Sequence, residues 1–250
     1  MSGHSKWASI KHKKAATDAK RGKLFTKLIK EITVSARSGG GNPEANPRLR
    51  LAVSKAKEAN MPKDNIEKAI KKGTGELPGV VYEEVTYEGY GAQGVAILVE
   101  VLTDNKNRAA AEIRNIFAKK GANMAGAGSV LWQFQHKGLI IVNKKESSED
   151  KLMNIILENG AEDMVTQSDA YEISTTVKDF ENVKKAIEDA SIAMVSAELT
   201  MIPSSTVKIS DTSTAQQILN LVSALEDNDD VQNVYANFDI PDEILNEIET

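Results

Sequence analysis

The chain has 250 residues, 41% of them hydrophobic and 27% charged, with no cysteine and a formal net charge of −5. This is the composition of an ordinary soluble protein, long enough for one large domain or two to three small ones. It excludes disulfides, thiol catalysis and thiolate metal sites, and it contains no apolar run long enough to cross a bilayer. The basic N-terminus has no apolar stretch behind it to make a secretory signal, so a cytoplasmic location is expected.

The net charge hides a segregation. Residues 1–75 hold 18 Lys and Arg against 6 Asp and Glu, a balance of +12, which leaves 13 basic and 30 acidic residues, or −17, for the remainder. An acidic protein with one strongly basic third is expected to meet nucleic acid through that third alone.

In chain order, residues 1–16 read as a basic arm with no apolar period, in which Lys6, Lys11, Lys13 and Lys14 are interleaved with His4, Trp7 and His12. A helix is predicted from Thr17 or Asp18 to Arg37, with Leu24, Phe25, Leu28, Ile29 and Ile32 as its apolar stripe. Lys20, Lys23, Lys27 and Lys30 then fall together on the opposite side. Ser38–Pro43 ends that helix, and Asn46-Pro47 caps a second one running to Asn60, with Leu49, Ala52, Val53 and Ala56 inward. Pro62 opens a third, whose Ile66, Ala69 and Ile70 face inward and whose Lys68, Lys71 and Lys72 face outward.

Beyond Pro78 the period changes to two. Strands are predicted at Tyr82–Tyr90 and Val95–Leu102, then a helix at Asn107–Lys119 and a glycine-rich turn at Gly121–Gly128. The order strand Val130–Val142 (bent at Lys137-Gly138), helix Ser148–Asn159, strands Asp163–Gln167 and Ala170–Thr176, helix Phe180–Ala190, strand Ala193–Met201 is β-α-β-β-α-β, the ferredoxin-like order. A helix at Thr214–Leu225 and a strand at Val231–Phe238 complete the unit begun at residue 82. The expected fold is therefore α+β with three domains. These are a basic arm and three-helix bundle (1–78), a discontinuous middle α/β domain (79–129 plus 203–250), and an inserted ferredoxin-like domain (130–202).

Chemistry-bearing motifs are few. The segment Gly121–Ser129 leads from a helix into a strand, the reverse of a phosphate-binding loop, and is expected to be a mobile loop facing a partner. The three histidines are scattered without ligand spacing, Glu83 and Glu84 point to opposite faces of a strand, and Asp227–Asp230 lacks the spacing of a calcium loop and reads as a turn. No catalytic constellation, metal site or cofactor is expected.

The run Gly3–Lys14 and the segments Asp18–Lys23, Ala59–Ile66, Tyr87–Gly91, Leu102–Asn105, Asn107-Arg108 and Val231–Asn237 strongly resemble the YebC family. Where that family usually reads Gly-Asn-Leu-Gly, this chain has Gly121-Ala122-Asn123-Met124-Ala125-Gly126. The resemblance implies the same three domains and a DNA-binding transcriptional regulator of the cytoplasm. Relatives that include a mitochondrial translational activator of cytochrome oxidase imply instead a ribosome-associated factor that relieves stalling.

The expected activity is thus a non-enzymatic regulator of gene expression. Lys6, Trp7, Lys11, Lys13, Lys14, Lys20, Arg21, Lys23, Lys27 and Lys30 would contact nucleic acid, and Arg48, Arg50, Lys55, Lys68, Lys71 and Lys72 would extend the surface. DNA and ribosomal RNA both suit such a field; a structural adaptor for an acidic protein is the third reading. The acidic two-thirds is expected to project away from the phosphates and to meet a protein or ribosome partner.

Overall fold

The computed structural model describes residues 18–249. The chain is an α+β molecule of three parts, beginning with a helical bundle: α1 (Asp18–Gly39), α2 (Pro47–Glu58) and α3 (Lys63–Thr74). Asn46 caps α2, its side chain accepting from the Leu49 N–H at 3.1 Å while its amide donates to the Ser35 and Gly40 carbonyls. One side chain thus satisfies a helix start and the end of the preceding helix. Leu28, Ile32, Leu49, Ala52, Ala56, Met61 and Ile66 form the core. Leu24, expected in the stripe, is 45% exposed. Helices α1 and α3 cross so closely that a Cβ on Gly73 would collide with the Thr33 carbonyl. Gly75, at φ +83°, ends α3 in the left-handed region that glycine takes without strain.

The middle domain is a four-stranded antiparallel sheet in the order β3-β1-β2-β9, made of β1 (Glu83–Tyr90), β2 (Ala96–Thr103), β3 (Asn123–Ala125) and β9 (Val231–Ala236). Two helices, α4 (Lys106–Lys119) and α7 (Thr212–Glu226), cover one face with Ile113, Phe117, Ile218, Val222 and Leu225. The residue pattern predicts a single strand over Val231–Phe238. In the structure β9 stops at Ala236, and Phe238–Asp239 (β10) pairs with Val207–Lys208 (β8) in a separate parallel ladder. A last helix, α8 (Asp242–Glu249), is not among the expected elements.

Between β3 and β8 the inserted domain runs β4 (Phe134–Asn143), α5 (Glu149–Glu158), β5 (Ala161–Thr166), β6 (Ala170–Thr175), α6 (Phe180–Asp189) and β7 (Met194–Pro203). Its antiparallel order, β5-β6-β4-β7, is ferredoxin-like. The strand predicted from Val130 begins only at Phe134, after a 3-10 turn at Leu131–Gln133, and it passes through Lys137-Gly138 without a break. Ile140, Val142, Ile173, Phe180, Val183 and Ile187 fill its core. Tyr90, Ala96, Leu98, Val130, Phe134, Met201 and Tyr235 make a further apolar cluster joining this domain to the uncovered face of the middle sheet.

Candidate nucleic-acid interface

The lysine spacing on α1 does put Lys23, Lys27 and Lys30 in one row, but the row is only partly open to solvent: Lys23 is exposed, Lys27 half-buried and Lys30 buried. It faces the end of α7. The Lys23 ammonium donates to the Asp227 carbonyl at 3.0 Å and lies 3.7 Å from the Asp227 carboxylate. Lys27 donates to the Glu226 carbonyl at 2.7 Å. Lys30 is only 6% exposed and has an acceptor for each of its three protons: the Asp230 carboxylate at 2.6 Å, the Asp229 carbonyl at 2.8 Å and the Leu102 carbonyl at 3.4 Å. Its ammonium also sits 5.6 Å from the centre of the Tyr82 ring.

The reason lies in α7. Its last turn contains no basic residue, and it runs into Glu226, Asp227, Asp229 and Asp230. Carboxylates at a helix C-terminus oppose the helix dipole, and the final carbonyls there lack intrahelical partners. The lysines of α1 supply both the missing charge and the missing donors. The turn expected at Asp227–Asp230 is present, but the expectation that the acidic body projects away from the basic bundle is corrected: it folds back onto it.

Asp230 organises this junction. Besides Lys30 it accepts from the Thr103 hydroxyl at 2.8 Å and from the Arg108 guanidinium at 2.9 Å. Burial pushes its carboxyl up, but the bonds from Lys30, Arg108 and Thr103 outweigh burial and hold it below the usual carboxylate range.

Two more predicted contacts also tie domains together. Arg48 grips Glu31 with two nitrogens, at 2.7 and 3.2 Å, and reaches Glu84 on β1 at 2.7 Å. Burial lowers its proton affinity, but the two carboxylates reverse that and keep the guanidinium charged. Lys55 lies 3.7 Å from Glu198 on β7. Arg21, Arg50, Lys68, Lys71 and Lys72 are exposed on the bundle, with Lys57 and Lys63, absent from the expected surface, beside them. The α3 trio Lys68, Lys71 and Lys72 shares one helix face by its spacing. The predicted arm residues Lys6, Trp7, Lys11, Lys13 and Lys14, and the side chain of Lys20, lie outside the described residues.

Between bundle, middle sheet and inserted domain lies an open cleft of about 1450 Å³. Its walls carry Arg21, Arg50 and Lys184 together with Glu84, Glu100 and Glu181. Such mixed walls do not suit a phosphate backbone along their whole length.

The glycine-rich segment is anchored instead of free. Asn123–Ala125 forms β3, and beyond it the Glu88 carboxylate, 3% exposed, accepts from the backbone N–H of Gly128 at 2.6 Å, Val130 at 2.6 Å and Leu131 at 2.8 Å. Burial pushes this carboxyl up; the three amides together pull it below its ordinary value. The donors a phosphate would need at the end of this loop are already committed to a carboxylate of the protein itself. Nothing in the sequence signals this, because an acidic residue in a strand ordinarily faces water. Among the described residues, no group of three or more His, Asp or Glu side chains could hold a metal ion, and no helix is long and apolar enough to cross a membrane.

Comparison with known proteins follows the same division. Residues 5–76 match the model of the TACO1/YebC protein N-terminal domain, and residues 82–238 match that of the TACO1/YebC second and third domain. A probable transcriptional regulatory protein of Syntrophobacter fumaroxidans is 59% identical over 99% of this chain and 100% of its own length. One from Halothermothrix orenii is 57% identical over 99% of both. The crystal structure of a conserved hypothetical protein from Aquifex aeolicus superposes with a TM-score of 0.84 at 51% identity, covering 96% of this chain and 98% of that one.

Proposed function

The chain belongs to the TACO1/YebC family, and from that membership we propose that it is a non-enzymatic regulator of gene expression that binds nucleic acid, with DNA as target and transcription as the process controlled. The relatives' description as probable transcriptional regulatory proteins supports this reading. The observation that carries it is the excess of cations in the first third of the sequence, +12 over residues 1–75, part of which stays exposed on α2 and α3. Such a surface gains affinity by releasing counterions condensed on the phosphates.

Most of the exposed cations are lysines, which suit phosphate, and sequence readout would fall to the exposed Arg21 and Arg50. Lysine is a point charge, and specific readout in the major groove calls for Arg, Asn or Gln aimed at base edges. A ribosome-associated role in translation, gripping RNA by shape and charge, is the second reading favoured by that lysine bias.

The deciding experiment measures binding of the full chain to a promoter fragment, its scrambled counterpart and ribosomal RNA across a salt series. Steeply salt-dependent binding to the promoter above the scrambled duplex is expected, and equal binding to the two duplexes with tighter binding to RNA would favour the translational reading. The triple substitution Lys68→Ala, Lys71→Ala and Lys72→Ala should weaken binding and flatten the log–log salt slope by about 0.9 for each phosphate no longer neutralised. Unchanged affinity and slope would remove α3 from the interface.

A further inference from the structure

The lysines of α1 already hold an anion, and the anion belongs to the chain. Lys23, Lys27 and Lys30 stand at i, i+4 and i+7, and each donates to a carbonyl at or just beyond the end of α7, within the field of Glu226, Asp227, Asp229 and Asp230. A closely spaced set of oxygens carrying negative charge is also what a row of phosphates presents to the same helix face.

The rest of the junction has the same character. Arg48 crosses to Glu84 and Lys55 to Glu198, both by ion pairs between partly exposed side chains. Among the described residues, the apolar core of the bundle contains none beyond Ile70, and the core of the middle domain none before Val85. The covalent connection is the exposed stretch 75–81. Domains joined through polar contacts and an exposed linker are expected to move relative to each other. The grip is also graded: the side chain of Lys23 is 48% exposed and that of Lys30 only 8%. The lysine row therefore offers an accessible end from which it can be peeled.

We propose that the acidic turn Glu226–Asp230 is a built-in competitor for phosphate, which latches the basic bundle against the body until a nucleic-acid backbone takes over the α1 lysines. This rests on the nucleic-acid reading above and adds its regulation. In the latched state Lys23, Lys27 and Lys30 contribute little to binding, and first contact falls to the other exposed cations of the bundle, Arg21 on α1 and those of α2 and α3. Opening then frees Lys23, Lys27 and Lys30 for further phosphates. Burial of the Lys30–Asp230 pair does not prevent this, because opening returns both charges to water together and neither is left stranded in the protein. The carboxylates left behind repel the bound polyanion, which keeps the body clear of it.

The absence of cysteine allows a direct test on the full chain. Ala45→Cys on the bundle and Ser168→Cys on the inserted domain, both at exposed positions, take a fluorescent donor–acceptor pair. A short DNA duplex is titrated at low salt, with binding followed separately by the anisotropy of a labelled duplex. Transfer efficiency should fall with the same midpoint as binding, and raising potassium chloride without DNA should also lower it.

The double substitution Asp227→Asn and Asp229→Asn should tighten duplex binding by about fivefold and move the opening midpoint with it. The pair Glu146→Gln and Glu158→Gln changes net charge equally on the inserted domain and should do neither. Binding with unchanged transfer would overturn the latch and leave the nucleic-acid reading standing, as would equal effects from the two charge variants. No binding at low salt would overturn both.

Discussion

Where the inserted domain meets the middle one, Val130, Phe134 and Met201 press on Ala96, Leu98 and Tyr235. Where the bundle meets the same middle domain, ammonium and guanidinium groups meet carbonyls and carboxylates. The apolar seam is held by removal of surface from water, which is non-directional and indifferent to screening. The ionic seam depends on geometry and on a local field that salt reduces wherever water reaches it. Polar bonds trim the apolar seam without carrying it: Asn237 receives the Ala96 N–H at 2.7 Å and donates to Gln133 at 3.1 Å. The contrast divides the molecule mechanically. The middle and inserted domains are built to behave as one body, and the bundle as an attachment that water and ions can loosen.

The comparison breaks first at Phe134. Phe134→Ala should cost about 3–5 kcal/mol by lost burial and residual cavity, read from urea unfolding of the body, with a cost that stays constant as salt rises. A salt-dependent cost would mean that this seam is not apolar in its energetics. On the ionic side, Lys30→Met should destabilise the junction by about 3 kcal/mol, the low end for a broken buried pair because Arg108 and Thr103 remain with Asp230. Hydrogen exchange should then rise in the 226–231 turn and in α1 while β4 and β7 stay protected, and uniform loosening would contradict the division.

Acid sharpens the distinction further. Because the Asp230 carboxyl is held below 3.8 in the folded chain, its stabilising contribution is complete above about pH 4 and is lost as the pH falls through the folded value. Acid titration should therefore separate bundle from body, followed by the same fluorescence pair, before the apolar seam fails. Undocking already complete at pH 6 would show that Asp230 does not control it. The smallest effect belongs to Lys55→Ala. With both partners of its 3.7 Å pair substantially exposed, it should change stability by less than about 1 kcal/mol in thermal melts, and a larger loss would place more of the seam's strength on that ion pair.

Much of the fold is legible in the sequence because it is written in short-range patterns. Leu49, Ala52, Val53 and Ala56 follow the helical period and are the buried face of α2, and Asn46-Pro47 marks its start by local bonding chemistry. The β-α-β-β-α-β order follows from successive changes of period. Expectation and structure part where a local pattern is overruled. The apolar run from Val130 suits a strand, yet the bonds that Glu88 accepts from Val130 and Leu131 pull it into a turn.

At the candidate interface, one signal lies in the sequence unused. A helix ending in Glu226-Asp227 with no cation in its last turn requires positive charge from elsewhere, and a neighbouring helix with a lysine row can supply it. Which lysines do so is not readable. Lys23 and Asp227 are 204 positions apart, and only the return of β9 alongside β2 carries the acidic turn to α1.

The sequence by itself determined the segregation of charge, the amphipathic helices and the presence of a lysine row, because these depend on composition and on neighbours a few residues apart. The tertiary structure decided which of those lysines face solvent. Exposure is settled by what packs on a surface, and here that is a segment some two hundred residues away, brought in by strand pairing and held by carbonyls that needed donors.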